Sequence, residues 1–201
     1  MKKMLVLVVA AMMATMSANA QNGYDNTKHE VAVSYGILSN SQWLNVFVIG
    51  MNELFDDLTP VSRSVIGPVS AEYFYHANEW LGVGAIFSYG RVSTKYNSNT
   101  DNLEACTKVN SNYSLMPAVK FNWLRRPHFG MYSKLGAGVM LYDMKVTPVD
   151  PEEKATRDQV KGFNFQATAL GIEFGGTQFR GFVEGGIGEQ GVVLAGLRYK
   201  F

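Results

Sequence analysis

The stretch VNSNYSLMPAVKFNW, running from Val109 to Trp123, decides how this chain is read. Tyr113, Leu115, Pro117, Val119, Phe121 and Trp123 share one parity, and Ser114, Met116, Ala118, Lys120 and Asn122 share the other. A period of two belongs to a β-strand with an apolar and a more polar face. A helix would bring together residues three and four apart and mix the two sets over its surface. Pro117 cannot donate to a ladder, so a local bulge is expected there.

Seven more segments alternate in the same way. His29 to Ile37 sets Val31, Val33 and Tyr35 against Glu30, Ala32, Ser34 and Gly36. Gly67 to Tyr75 sets Val69, Ala71, Tyr73 and Tyr75 against Ser70, Glu72 and Phe74. Trp80 to Ser93 and Phe129 to Asp143 follow, with Lys134 on the smaller side of the second. Lys161 to Phe174 begins with Asn164, Gln166 and Thr168 on its polar side, and its phase blurs from Leu170 to Phe174, the mark of a bulge. Gln178 to Ile187 carries Arg180 and Glu184 on its polar face. Gly191 to Phe201 sets Val193, Ala195, Leu197, Tyr199 and Phe201 against Gly196, Arg198 and Lys200.

The connections alternate as well. Residues 38–66, 94–108 and 144–160 are long, and they are separated by tight links. The last link, Gly188 to Gln190, breaks the alternation and should leave Glu189 solvated at the long-loop end. Consecutive antiparallel strands turn at opposite ends of a barrel, so one end has loops and the other turns. The expected fold is all-β: an eight-stranded antiparallel up-and-down transmembrane β-barrel.

Alternation alone does not say which face looks inward. Three features place the polar face in the lumen. Glu30, Glu72, Lys120, Lys134, Arg180, Glu184, Arg198 and Lys200 mix both signs on that face, as a paired internal charge network requires. Tyr75, Trp80, Trp123 and Phe201 gather near the short-turn end, where an interfacial aromatic belt belongs. The polar side is also rich in glycine (Gly36, Gly82, Gly84, Gly90, Gly136, Gly138, Gly196), which leaves room for long charged side chains in a narrow interior.

The ending from Gly191 to Phe201, GVVLAGLRYKF, is similar to the C-terminal assembly signal of bacterial outer-membrane proteins, with Leu197, Tyr199 and the terminal Phe201 at alternate positions. With stretches such as Trp80-Leu-Gly-Val-Gly and Phe182-Val-Glu-Gly-Gly-Ile-Gly, the chain after residue 20 resembles the small OmpA/OmpX-like outer-membrane β-barrel proteins. The resemblance implies outer-membrane lipid and the barrel-assembly machinery as partners. It does not extend to the peptidoglycan-binding domain that follows the barrel of OmpA.

Met1-Lys2-Lys3, the uncharged apolar run Met4 to Ala14 and Ala18-Asn19-Ala20 form a secretory leader, with cleavage expected after Ala20 and residues 21–201 forming the barrel domain. Export with one cysteine excludes an internal disulfide framework. The chain carries 18 basic and 17 acidic residues, a balance that argues against a nucleic-acid partner.

No motif demands chemistry, and no cofactor or metal is expected. Gly186-Ile-Gly-Glu-Gln-Gly191 matches a dinucleotide fingerprint, but no helix and no acidic residue about 20 positions on can follow it, so it reads as a hairpin turn. Asn97, Asn99 and Asp101 mimic the start of a calcium loop whose twelfth position is Lys108. His29, His76 and His128 lack metal-ligand spacing, and Cys106 has no neighbouring histidine in sequence. Ser41 to Asp57 places Trp43, Phe47, Met51, Leu54 and Phe55 at helical spacing, favouring a short helix over the rim above a partner-binding or membrane-surface helix.

The expected role is non-enzymatic: an outer-membrane barrel with an envelope-structural or surface-interaction role, its lumen filled by charged side chains, and any surface partner met by 38–66, 94–108 and 144–160. A narrow ion-conducting pore and a soluble periplasmic ligand-binding barrel are the alternatives. Changing Phe201 to Asp should block assembly of the folded barrel while export continues. Folded Phe201→Asp protein in the outer-membrane fraction at the wild-type level would refute the assembly-signal reading.

Overall fold

The computed structural model describes residues 27–43, 58–98, 104–149 and 154–201. Eight strands form one closed antiparallel barrel in sequence order: β1 (His29–Ile37), β2 (Leu58–His76), β3 (Leu81–Ser98), β4 (Glu104–Arg125), β5 (Phe129–Pro148), β6 (Thr156–Gly175), β7 (Phe179–Gly188) and β8 (Val193–Lys200). β8 closes on β1, with Glu30 opposite Lys200, Ala32 opposite Arg198 and Ser34 opposite Gly196. Beyond the last strand residue, Phe201 N–H donates to the His29 carbonyl at 2.9 Å, and His29 N–H returns the bond to Phe201 at 2.9 Å. Closure leaves no sheet edge, the condition for a strand structure to exist where water is absent.

Side chains divide cleanly between the two faces. On β1 buried and exposed residues alternate without a break from Glu30 to Ile37. Outside are Val33 at 58 % exposure, Val139 and Leu197 at 66 % and Phe163 at 73 %. Inside, Lys120, Lys134, Glu30, Glu184 and Arg198 are all at or below 1 %. A soluble barrel has the opposite polarity. This distribution, apolar outward and charged inward, defines the fold as a transmembrane β-barrel.

The strands reach further than the sequence alone suggests. β2 to β6 continue through 58–66, 94–98, 104–108, 144–148 and 156–160, all expected to be loop. The reason is chemical: once a strand leaves the apolar zone both faces turn polar, as along Ser93, Thr94 and Lys95, and the alternation loses its contrast although the ladder goes on. β1, β7 and β8 stop lower, so the wall is tall over β2 to β6 and short over the rest. β7 is shifted by one residue from the expected Gln178 to Ile187, and β8 is trimmed at both ends relative to the expected Gly191 to Phe201. Of the helix expected over Ser41 to Asp57, only a single turn at residues 40–43 lies within the described residues.

Two expectations about bulges part ways. None forms at Pro117: it stands opposite Ala85, and β4 keeps the same register to β5 before and after it, from Leu115–Val139 to Ala118–Gly136. A proline removes one rung, and the 22-residue β4 is held by rungs on both sides. The irregularities in β4 fall instead between Asn122 and Leu124 toward β5 and between Glu104 and Cys106 toward β3.

The bulge in β6 is real. Tyr132 faces Gly171 while Lys134 faces Thr168, and on the other side Thr168 faces Gly186 while Leu170 faces Gly185. One extra residue therefore sits at 169–170, both residues point outward, and every later residue changes face. Glu173 becomes internal and Ile172 does not.

The outer surface changes character at one level. On β3 the outward residues run Val83, Ala85, Phe87, Tyr89 and then Arg91; on β5 they run Leu135, Ala137, Val139, Leu141 and then Asp143. Tyr89, Tyr113, Leu141 and Lys161 form one cross-strand row, and Arg91, Ser111, Asp143 and Gln159 form the next. From Leu81 to Arg91 the climb is about 25 Å along the barrel axis at ~3.3 Å per residue and a tilt of ~40°, the height of a membrane barrel's apolar band. Tyr89 and Tyr113, with ring centroids 5.0 Å apart, mark its upper edge.

Deleting Ala169 removes the extra residue and leaves a regular alternation, with Thr168 inward, Leu170 outward and Glu173 still inward opposite the same partners. The expected outcome is a folded, heat-modifiable band retained on unboiled gels. Loss of that band in the Ala169 deletion would show that residues 169–170 do not hold a single extra residue and that the bulge does not set the phase of β6.

Candidate functional site

The interior is built by alternation: each strand sends every second side chain inward, and the narrow bore brings residues from distant strands together. Toward the short-turn end the organising group is Glu173. Its Oε1 accepts from Arg180 Nη1 at 2.5 Å and also from Lys200, and its Oε2 accepts from Arg198. Lys120 Nζ stands 3.7 Å away. Arg180 further ties this level to the turns below, donating to the carbonyls of Pro127 at 2.8 Å and Gly176 at 3.1 Å.

Beside it, Glu30 accepts from Lys120 Nζ at 2.7 Å and lies 3.0 Å from His76 Nε2 and 3.5 Å from Arg198 Nε. Above, Lys134 bridges two carboxylates, reaching Glu72 at 2.5 Å and Glu184 Oε2 at 2.8 Å. Glu184 also accepts from Tyr132 Oη at 2.6 Å and Thr168 Oγ1 at 2.7 Å. The Tyr132 ring lies across the bore, with Lys120 Nζ 3.9 Å and the Arg198 guanidinium 4.7 Å from its centroid. It rests on Gly171, where even a Cβ would collide with the ring. Phe74, Ile86, Met116 and Ala118 form an apolar island at one side, and Ala32, Phe182 and Leu194 another.

The structure thus places all eight charged residues named from the sequence in the interior, each at most 4 % exposed. Three acids against five bases left an imbalance. Glu173 supplies a fourth carboxylate and was missed because the bulge at 169–170 reverses the alternation just before it. Tyr132 was legible as inward-facing but not as a participant, since nothing in a strand pattern reveals what a hydroxyl will bind.

The β7–β8 turn corrects another expectation. Glu189 is not a solvated loop residue: it is fully buried, its carboxylate accepting from Ser41 Oγ at 2.7 Å, from Ser41 N–H at 3.2 Å and from Asn112 Nδ2. Gln190 is equally buried and donates to Glu72 at 2.7 Å. The turn folds into the barrel mouth because Gly188 and Gly191 both take positive φ, at 139° and 113°, which residues with a Cβ rarely adopt. That is the use of the glycines in the dinucleotide-like motif. Across the mouth, Gly36 gives way to the backbone of Gln190.

On the outer surface, Tyr75, Trp80, Trp123 and Phe201 are exposed at the short-turn end. Leu197 and Phe201 point outward on the seam strand, and Phe201 stacks on His29 at 5.4 Å and on Tyr199 at 5.7 Å. Among the described residues no group of three His, Cys, Asp or Glu side chains could hold a metal ion. Cys106 is buried in the upper part of β4.

No family model and no curated protein matches the sequence. Solved structures do. Ail, the attachment invasion locus protein of Yersinia pestis, aligns at 14 % identity and a TM-score of 0.45, covering 87 % of this chain and 99 % of Ail, in a crystal with the heparin analogue sucrose octasulfate. A second Ail crystal structure gives 13 % and 0.44 over the same shares. The N-terminal β-barrel domain of Pseudomonas aeruginosa OprF gives 14 % and 0.36, over 88 % of this chain and all of that domain.

Removing the Glu173 charge tests the network. Glu173→Gln leaves Arg180, Arg198 and Lys200 under-compensated, and breaking a buried ion pair by removing one partner costs about 3–5 kcal/mol. The expected result is a folded band that melts at clearly lower temperature, while Glu79→Gln in the exposed turn after β2 melts like the wild type. Equal melting of the two variants would mean that Glu173 is hydrated rather than paired.

Proposed function

We propose that this chain is an exported outer-membrane barrel with a structural or surface-interaction role in the cell envelope, neither an enzyme nor an open pore. Residues 1–20, outside the described residues, serve in this reading as the leader, cleaved after Ala20. The observation that carries it is the filling of the bore: Glu30, Glu72, Glu173 and Glu184, with five bases, Tyr132 and the Glu189–Gln190 turn, are all buried inside it. An eight-stranded barrel is just wide enough to be filled by its own side chains. With the bore filled, the surface open to function is the outside of the wall and its upper rim.

The apolar exterior speaks against the soluble periplasmic alternative. Contiguous apolar surface encircling a molecule exceeds the few hundred Å² that soluble monomers expose. Tyr75, Trp80 and Trp123 serve as the lower interfacial belt, and Leu197, Tyr199 and Phe201 as the segment read by the assembly machinery. The contact surface for a partner is the tall wall of β2 to β6 with residues 38–66, 94–108 and 144–160, much of which is strand rather than loop.

Planar-bilayer recording separates plug from pore. Purified barrel at concentrations that give a high density of insertions should produce no stepwise conductance above the bare bilayer. Discrete, reproducible steps would establish the ion-conducting reading instead. Co-sedimentation of the heat-modifiable protein with outer membrane checks the location.

A further inference from the structure

The outward face of β3 to β6 carries a feature that neither the filled bore nor the rim explains. Just above the Tyr89–Tyr113 level lies a recess of about 330 Å³ lined by Arg91, Val109, Ser111, Asp143, Lys145 and Arg157. Directly below it, within the apolar band, is a groove of about 410 Å³ lined by Phe87, Tyr113, Leu115, Val139, Leu141 and Lys161. The two meet at the row Tyr89–Tyr113–Leu141–Lys161. Four bases against one acid surround this junction. Asp143 is engaged by Arg157, whose Nε and Nη2 donate to its two oxygens at 2.9 and 2.6 Å. Among the described residues no carboxylate lies within ion-pair distance of Arg91 or Lys161.

The placement matters more than the count. These bases sit on the outside of the wall, where they do nothing for the bore, and about the upper level where apolar surface ends. A cation at that height faces lipid headgroups, and basic clusters beside a membrane attract anionic ones. Lys161 and Lys145 are separated by two rows along the wall, and Arg91 and Lys145 by two strands. That spread is about 13 Å along the strands and about 10 Å across them, from the rise per residue and the strand spacing. A single phosphate does not span it, and a headgroup bearing two phosphates does. Planar guanidinium and mobile ammonium groups are the side chains suited to phosphate.

We infer that the junction is a binding site for a phosphorylated lipid of the surrounding leaflet, with an acyl chain along the Phe87–Leu115–Val139–Leu141 groove and its phosphates on Arg91, Lys145 and Lys161. The inference rests on the membrane-spanning reading of the barrel. Arg157 is held by Asp143 and completes the rim of the recess.

The test uses the full mature chain folded in neutral detergent. The probes are diphosphoryl lipid A, the same lipid with both phosphates removed, and inorganic pyrophosphate, with retained ligand counted by native mass spectrometry. The wild type and Lys28→Gln, at the opposite end, should retain the diphosphoryl lipid equally. Arg91→Gln/Lys145→Gln/Lys161→Gln should bind it at least tenfold more weakly, and the dephosphorylated lipid should not be retained. A smaller loss in the triple variant, equal retention of the dephosphorylated lipid, or pyrophosphate bound as tightly as the lipid would overturn the site. All variants are also folded into phosphatidylcholine vesicles. Failure of the wild type to insert there would count against the membrane reading itself, a result separate from any loss of lipid retention.

Discussion

A carboxylate sealed inside a barrel has no water to fall back on, and the rest of this structure follows from that constraint. Taking an ion out of water costs several kcal/mol unless a partner and hydrogen bonds replace the solvent. Glu173 meets the condition with Arg180, Arg198 and Lys200 in contact and Lys120 close by. Those cations come from β7, β8 and β4, so satisfying one carboxylate fixes the relation of four strands. Glu184 and Glu72 repeat the arrangement through Lys134 on β5. Lipid on the outside is the reason for the polarity: the apolar residues face the solvent that suits them, and the charges are left with one another.

The parts of this fold legible in sequence are those where two faces differ in chemistry. The run from Tyr113 to Trp123 reads as a strand because its two sides are unlike, and the same holds for β1. Where the two sides lose their contrast, as from Ser93 to Ser98, the ladder continues unseen. Glu173 is the instructive miss. Its phase is set by one additional residue at 169–170, so a pattern extended from Thr168 puts it on the wrong face. The blurred alternation after Leu170 did signal a bulge, but not which face would follow. Glu189 departs from its pattern for a different reason. A short turn normally points to solvent, and only the backbone geometry of Gly188 and Gly191 turns it into the mouth.

The outer surface obeys a second constraint, a common level. Each of β3 to β6 could change from apolar to polar at its own position, yet the changes line up across the sheet once the register is known. Single-strand sequences conceal this, because Tyr89, Tyr113 and Leu141 are unremarkable one by one. Register converts them into a line. Beyond that line the strands need no longer alternate apolar with polar, which is why they can carry Arg91 and Lys145 outward without desolvating them, while Lys161 stands on the line itself.

Stability alone is a poor account of so many buried charges, since replacing a buried ion pair by well-packed apolar residues is often neutral or favourable. The pairing here has a different consequence. Eight strands with similar apolar faces can slide past one another by two residues and still present an oily exterior, so lipid does not choose among those registers. The interior does. A two-residue slip of β8 would carry Arg198 and Lys200 away from Glu173 while leaving every outward residue apolar. The cost of one stranded charge therefore separates the native register from its neighbours, and what the lipid-facing surface leaves ambiguous the sealed interior decides.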